Sequence, residues 1–297
     1  MRMQPRRSRF LLTALVVSLG VVHPSTGCTS DVTWLDVDDR PLPFADLDEI
    51  EDFLESADIV SNKPIDVGRS GPRKLVLERD GVRAAAAFNS VDETVRGVSR
   101  HHGVILTDFH DYHLHGCAAY RLDRLLGLDR VPPMVPRVVE GTSGSVSLWI
   151  EHAIMEEDRA ARDLQPPNPF RWNQQKKIMA VFDNLIGNLD RNQDNILIDR
   201  TWRLWFIDHT RAFITTPVLI SPQSVNRCER DLYDALRRLD PEAVRRELSP
   251  FLEGPQIDAM LTRRDLILQR LDEEIDRFGA PVVLFELQPP GPELASW

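Results

Sequence analysis

The chain has no apolar run long enough to cross a bilayer comfortably. Its best candidate, "FLLTALVVSLGVV" at Phe10–Val22, has the length of a signal-peptide core. Arg2, Arg6, Arg7 and Arg9 precede it, and the small residues Ser25 and Gly27 stand just before Cys28. Residues 1–28 therefore read as an export signal. Two outcomes stay open. One is plain cleavage. The other is lipidation of Cys28, which would attach the chain to a membrane, although Ser25 stands where a lipobox normally carries Leu or Val. The expected location is periplasmic, membrane-attached as a lipoprotein, or secreted.

Cysteine is scarce, with three in all. Cys117 and Cys228 remain beyond the leader. Export would permit a disulfide between them. Cys117 lies in an apolar helical stripe, so a buried free thiol fits better. Positive charge is also short: 36 Lys and Arg face 46 Asp and Glu, a net charge of -10. Non-specific nucleic-acid binding rests on cationic patches, so the balance argues against it. A small anionic ligand is still allowed, because a bound metal can reverse the local field. There is no internal repeat.

What is present suits a globular protein. The chain has 297 residues, 42% hydrophobic and 28% charged, enough for one two-lobed domain or two small ones. Leu47, Ile50, Phe53 and Leu54 recur at helical spacing behind a capping pair, Asp46 and Glu49. "IDVGRSGPRK" is a glycine-containing turn. "KLVLERDGVRAAAAF" is a hairpin turning at Asp80-Gly81. "YHLHGCAAYRLDRLLGL" predicts a helix closed by Gly127, and "SVSLWIEHA" a strand. A long helix enters through prolines at "PNPFRWNQQKKIMAVFDNLIGNL", and three more follow from "CERDLYDALRRL" onward. Strands followed by helices predict an α+β layout with a seam near Trp149–Ala153. The expected division is 29–150 and 151–297.

One segment, "FDNLIGNLDRNQDNILIDRTWRLWFIDHTRAF", puts polar groups among apolar strands. Asp190 is followed five residues on by Asn195, and Asp208 closes the run "RLWFID". Any one of them alone is a common turn cap. Together they fit phosphoryl transfer, which needs a carboxylate near the attacking hydroxyl and oxygen donors for a divalent cation on the phosphates. Hard cations such as Mg or Mn prefer such a set.

That segment resembles the atypical kinase-fold group that includes the secretory-pathway (Golgi casein) kinases. "DRNQDNILI" is also similar to the phosphatidylinositol kinase loop and, more distantly, to the bacterial persistence-toxin kinases. "EIEDFLESADIV", "AAYRLDRLLGLDRVPP" and "LWIEHAIMEEDR" extend the likeness from about Ala45 to Phe285. The resemblance implies a two-lobed protein-kinase-like fold that takes ATP or another nucleotide between its lobes. It implies the acid/base role for Asp190 and the metal for Asn195 and Asp208. Gly68, Lys74, Asn89 and Glu151 are the candidates for the nucleotide.

The sequence also departs from that pattern. The group ends its hairpin in "AxFK", whose lysine grips the phosphates; here "AAAAFN" puts Asn89 there. The partner helix should carry a glutamate; here "HGCAAY" puts Gly116 there. Arg83 shares the face of Asn89 but lies six residues away, roughly 20 Å along the strand. Lys74 is better placed. A two-residue turn pairs it with Ala87, which makes it a diagonal neighbour of Asn89 at about 7–8 Å. The same register puts Leu75, Leu77, Ala84, Ala86 and Phe88 on the other, apolar face. Lys74 is thus the candidate replacement cation, the alternative being a solvated charge at the strand end.

Two function classes follow: a phosphotransferase using nucleotide and divalent metal, or a pseudokinase that binds nucleotide or a partner without turnover. The acceptor is left open among protein, sugar and lipid head group. A third reading rests on His101, His102, His110, His113 and His115, since imidazole suits zinc or copper. No clean helical histidine pair emerges there, and an exposed, pH-sensitive surface is the simpler expectation.

Overall fold

The computed structural model describes residues 32–65, 71–101, 103–291 and 294–297. Residues 1–28, whose sequence reads as an export signal ending at Cys28, and Gly68 lie outside the described residues. All elements belong to the unit Thr33–Trp297.

The first helix, α1 (Leu47–Ser56), starts where its capping residues dictate. Asp46 accepts from the Glu49 amide at 3.0 Å, and the Glu49 carboxylate accepts from the Ala45 amide at 2.7 Å. Beyond Ser56 the chain leaves the helix and becomes strand β1 (Asp58–Pro64). β2 (Arg73–Arg79) and β3 (Val82–Asn89) form the expected hairpin, with Lys74 opposite Ala87 and Arg79 opposite Val82. Leu75, Leu77, Ala84, Ala86 and Phe88 are all buried, as that register requires.

β4 (Asp92–His101) and β5 (Val104–Tyr112) form a second, separate hairpin. The local sequence pattern does not mark this hairpin. A bulge between Val95 and Val98 breaks the alternation that would have revealed it. Helix α2 (Leu114–Leu126) follows and ends on Gly127 in the left-handed region, φ 66°. Strands β6 (Met134–Val139) and β7 (Thr142–Leu148) complete a five-stranded antiparallel sheet in the order β1-β2-β3-β7-β6.

Past the connector 149–153, strand β8 (Ile154–Met155) pairs with β9 (Ile196–Ile198), which pairs with β10 (Leu204–Phe206). Helices α3 (Glu156–Ala161) and α4 (Pro169–Ile186) lie between β8 and β9. β11 (Cys228–Glu229) pairs in parallel with β12 (Leu284–Phe285). Between them run α5 (Arg230–Arg238), α6 (Pro241–Leu248) and α7 (Gly254–Phe278).

Three apolar clusters form among the described residues. The smallest joins Leu106 and Phe109 of β5 to Leu189 and Ile214. The two largest are the cores of the two lobes of an α+β, protein-kinase-like fold. α1 and the five-stranded sheet share one, with Phe53, Leu77, Phe88 and Val146. The helices share the other, with Phe182, Leu185, Phe206 and Met260. Helix α2 contributes Ala118 and Leu122 to the helical core. It is also tied to α1 through Glu51, which accepts from Tyr120 Oη at 2.8 Å, Arg121 Nη2 at 2.5 Å and Arg124 Nη1 at 2.5 Å. Cys117 and Cys228 are buried and free, and burial pushes the Cys117 thiol up to about 12. Among the described residues no helix is long and apolar enough to cross a membrane.

Candidate active site

Helix α4 ends at Gly187, whose backbone is left-handed at φ 63°. A Cβ there would stand 2.9 Å from Ile214 Cγ1 and 3.0 Å from Arg263 Cζ, so glycine is required twice over. The polar loop begins at once and is built inward. Asn188 accepts from the Asp190 amide at 3.1 Å and donates to Asp183 Oδ1 at 3.0 Å. Arg191 is nearly buried and forks onto the Asp183 carboxylate at 3.0–3.2 Å. It also donates to the carbonyls of Asn195 and Ile207, and to His209 Nε2 at 3.0 Å. One guanidinium thereby fixes α4, the Asp190 loop and the Asp208 segment to each other. With Arg191 donating, His209 accepts as a neutral ring. Burial first, then the Arg191 charge, holds its pKa well below the usual range.

Asn195 closes the 3-10 turn Gln193–Asn195 and is buried. Its Nδ2 donates to the Asp190 carbonyl at 2.8 Å, which leaves Oδ1 as the oxygen available to a cation. The Asn195 carbonyl in turn accepts from the Ile207 amide at 3.2 Å, next to Asp208. Asp208 itself has φ 53°, a left-handed conformation that Asp tolerates better than most residues. Its Oδ1 accepts from Thr210 Oγ1 at 2.9 Å. The side chain is exposed by area. Loss of bulk water is the main reason its pKa is raised, with the Asp111 and Asp190 charges adding to the effect.

The three sequence candidates are therefore brought together, with Asp190 and Asn195 on one loop and Asp208 on the next segment. A crowded carboxylate plus a free amide oxygen fits a divalent cation that takes its other ligands from phosphate and water. Among the described residues no three His, Cys, Asp or Glu side chains form a ready-made metal group. Asn195 and Asp208 would hold such an ion.

Sequence reasoning missed two further groups. Arg211 donates from Nε to Asp111 Oδ2 at 2.6 Å and from Nη1 to Asp190 Oδ2 at 3.3 Å. Asp111 is buried on β5, and its Oδ1 has no hydrogen-bond partner. The run "DHTRAF" held Arg211 in plain view, three residues past Asp208. Nothing in the sequence tied it to Asp111, one hundred positions earlier.

In the strand-rich lobe, Lys74 lies opposite Ala87 and Asn89 opposite Ser145. The Lys74 ammonium rests 4.0 Å from the centre of the Trp149 ring. Glu151 stands nearby. Burial raises its pKa, and the Lys74 charge partly opposes that. Asn89 turns its Oδ1 back to the Val91 amide at 3.0 Å. At Gly116, an added Cβ would meet the Met134 sulfur at 2.7 Å, so Met134 occupies the space beside the missing glutamate. A flexible methionine can yield that space.

The histidine-rich stretch has a structural use for His115. This buried ring donates from Nδ1 to the Thr210 carbonyl at 2.8 Å and accepts at Nε2 from Gln256 at 3.0 Å. It joins α2 to the Asp208 segment and to α7. Burial, its main perturbation, pushes its pKa from 6.5 down to about 4. The ring must therefore shed its proton to fold. The stability it contributes is complete above the unfolded value of 6.5 and is lost as pH falls toward about 4. Denaturant midpoints measured across that window should fall less steeply for His115→Gln than for the parent; equal slopes would remove His115 from the acid response. Beside it lies a cavity of about 630 Å³ lined by Phe109, Tyr112, His115, Phe213, Phe251 and Gln256 among others. Among the described residues no Lys or Arg lines it.

No family model and no curated protein matches the chain. Solved structures do. The hydra Fam20 structure with sugar superposes at a TM-score of 0.62 and 15% identity, over 81% of this chain and 92% of that one. The Golgi casein kinase gives 0.59 and 16% identity, over 84% and 80% of the two chains. The Golgi casein kinase with Mn/ADP bound gives 0.57 and 18% identity, over 83% and 80%. The fold is thus that of the atypical Fam20-like kinases, as the sequence resemblance had implied.

Proposed function

We propose that the protein is an exported, kinase-like phosphotransferase that uses ATP or another nucleotide with Mg or Mn. The observation that carries this reading is the convergence of Asp190, Asn195 and Asp208, all fixed through Arg191. Asp190 takes the proton of the acceptor hydroxyl. Asn195 and Asp208 hold the metal, which neutralises phosphate charge when bound. Lys74, Asn89 and Glu151, together with Gly68, receive the nucleotide. Residues 29–150 and 151–297 are the lobes, and residues 1–28 the export signal, with Cys28 as the site of any lipid anchor. The acceptor is a protein, sugar or lipid head group. The neighbour solved with Mn/ADP supports the choice of cofactors.

A second reading is favoured by Asn89 and by Met134 packed beside Gly116. In it the protein is a pseudokinase that binds nucleotide or a partner and turns nothing over. Thermal shift and ATP turnover, each with nucleotide plus metal, separate the two.

Asp208→Asn gives a result of opposite sign in the two states. The raised pKa means that the ionised carboxylate is disfavoured in the fold. Asparagine avoids that penalty, so the unliganded variant should melt slightly higher than the parent at pH 7–8. Its nucleotide–metal shift should be lost. For the parent at a hundredfold excess over Kd, that shift reflects about 2.7 kcal/mol. An unchanged shift would remove Asp208 from the metal.

A further inference from the structure

Resting on the nucleotide-binding reading above, we propose that Arg211, held by Asp111, is the cation that acts on the terminal phosphate of the donor. It fills the role left by the absent lysine–glutamate pair. Three carboxylates, Asp111, Asp190 and Asp208, surround this one guanidinium, and all three raise its pKa. It is therefore charged at any working pH.

Its geometry separates anchor from reach. Nε is committed to the buried Asp111 at 2.6 Å. The anchor is positioned by the fold, since the amide of Tyr112, next to Asp111, donates to the Thr210 carbonyl, next to Arg211, at 2.9 Å. Nη1 makes only a long bond to Asp190 Oδ2, 3.3 Å, at a side chain that is itself 37% exposed. A planar guanidinium pinned at Nε still presents its two terminal nitrogens to a phosphate. Asp111 and Arg211 thus form a carboxylate–cation pair drawn from β5 and the Asp208 segment rather than from β3 and α2. Lys74, by contrast, lies on the Trp149 ring beside Glu151.

The acceptor oxygen forms a bond to the terminal phosphorus as the bond from that phosphorus to the bridging oxygen breaks. The electron pair leaves with the nucleoside diphosphate. The acceptor's hydroxyl proton passes to the Asp190 carboxylate. Arg211 moves its Nη1 contact from Asp190 to the phosphoryl oxygens, which neutralises charge there and frees Asp190 to accept the proton.

The test measures the affinities of the full chain for ATP and for ADP, with Mn present, by calorimetry. Arg211→Gln should weaken ATP binding about tenfold, the fold-change of one charge-assisted hydrogen bond, and leave ADP within about twofold. Retained ADP binding shows that the variant is folded. Asp111→Asn should give a smaller loss of the same kind, because the cation keeps its charge but loses its anchor. If turnover is found, Arg211→Gln should lower kcat by about a thousandfold, as for an arginine acting in cis on a phosphoryl group. Equal losses for ATP and ADP, no loss for either, or faster turnover in the variant would each overturn the proposal. A parent chain that binds no nucleotide would sink the functional reading itself. A parent that binds while Arg211→Gln behaves like it would sink only this inference.

Discussion

Asp190→Ala should lower turnover by about 10²–10⁴-fold, the usual contribution of a positioned general base. Nucleotide affinity should change little. The reason lies in which atoms of Asp190 hold the loop. Asn195 Nδ2 bonds the Asp190 carbonyl, and Asn188 Oδ1 receives the Asp190 amide. Both survive the substitution, so the proposed metal ligand Asn195 keeps its orientation. The carboxylate alone is lost, and among the described residues it bonds only to Arg211, at a long 3.3 Å. Asp190→Asn should be equally slow, since an amide cannot take the proton. Single-turnover measurements on both variants check this. Turnover at the parental rate would show that another group acts on the acceptor.

Arg191→Met should cost about 3–5 kcal/mol of stability, because it leaves the buried Asp183 carboxylate without its cation. For a domain of this size that corresponds to a fall in Tm of roughly 2–4 °C per kcal/mol. The loss should exceed that of the isolated ion pair, since two carbonyls and His209 also lose their donor. The nucleotide–metal shift should fall as well, because the same guanidinium sets Asn195 against Asp208. Adding Asp183→Leu should recover part of the stability, as an unpaired buried charge is then removed. It should not recover the nucleotide–metal shift. A single variant that melts within about 1 °C of the parent would show that the loop is held by other contacts.

The local patterns of the chain were enough for much of the fold. The Asp80-Gly81 turn and the alternation on either side set the register of β2 against β3, and with it the place of Lys74. Asp46 and Glu49 marked the start of α1, and Gly127 marked the end of α2. The spacing of Asp190, Asn195 and Asp208 marked the candidate site, because a short loop and the β9–β10 hairpin leave few ways to place three such groups. All of these features are carried by residues close together along the chain.

Tertiary structure decided the rest, because it joins residues that no local pattern connects. The bulge in β4 hid a hairpin whose last strand carries Asp111. The pairing of Asp111 with Arg211 exists only after β5 meets the Asp208 segment. His115 looked like one of several surface imidazoles until Thr210 and Gln256 enclosed it. Helix α2 looked like a partner for the strand-rich lobe, yet Ala118 and Leu122 belong to the helical core. In each case burial and a distant partner fixed the chemistry of the side chain. A sequence shows which groups are charged, but the fold decides which of them lose water and what they meet when they do.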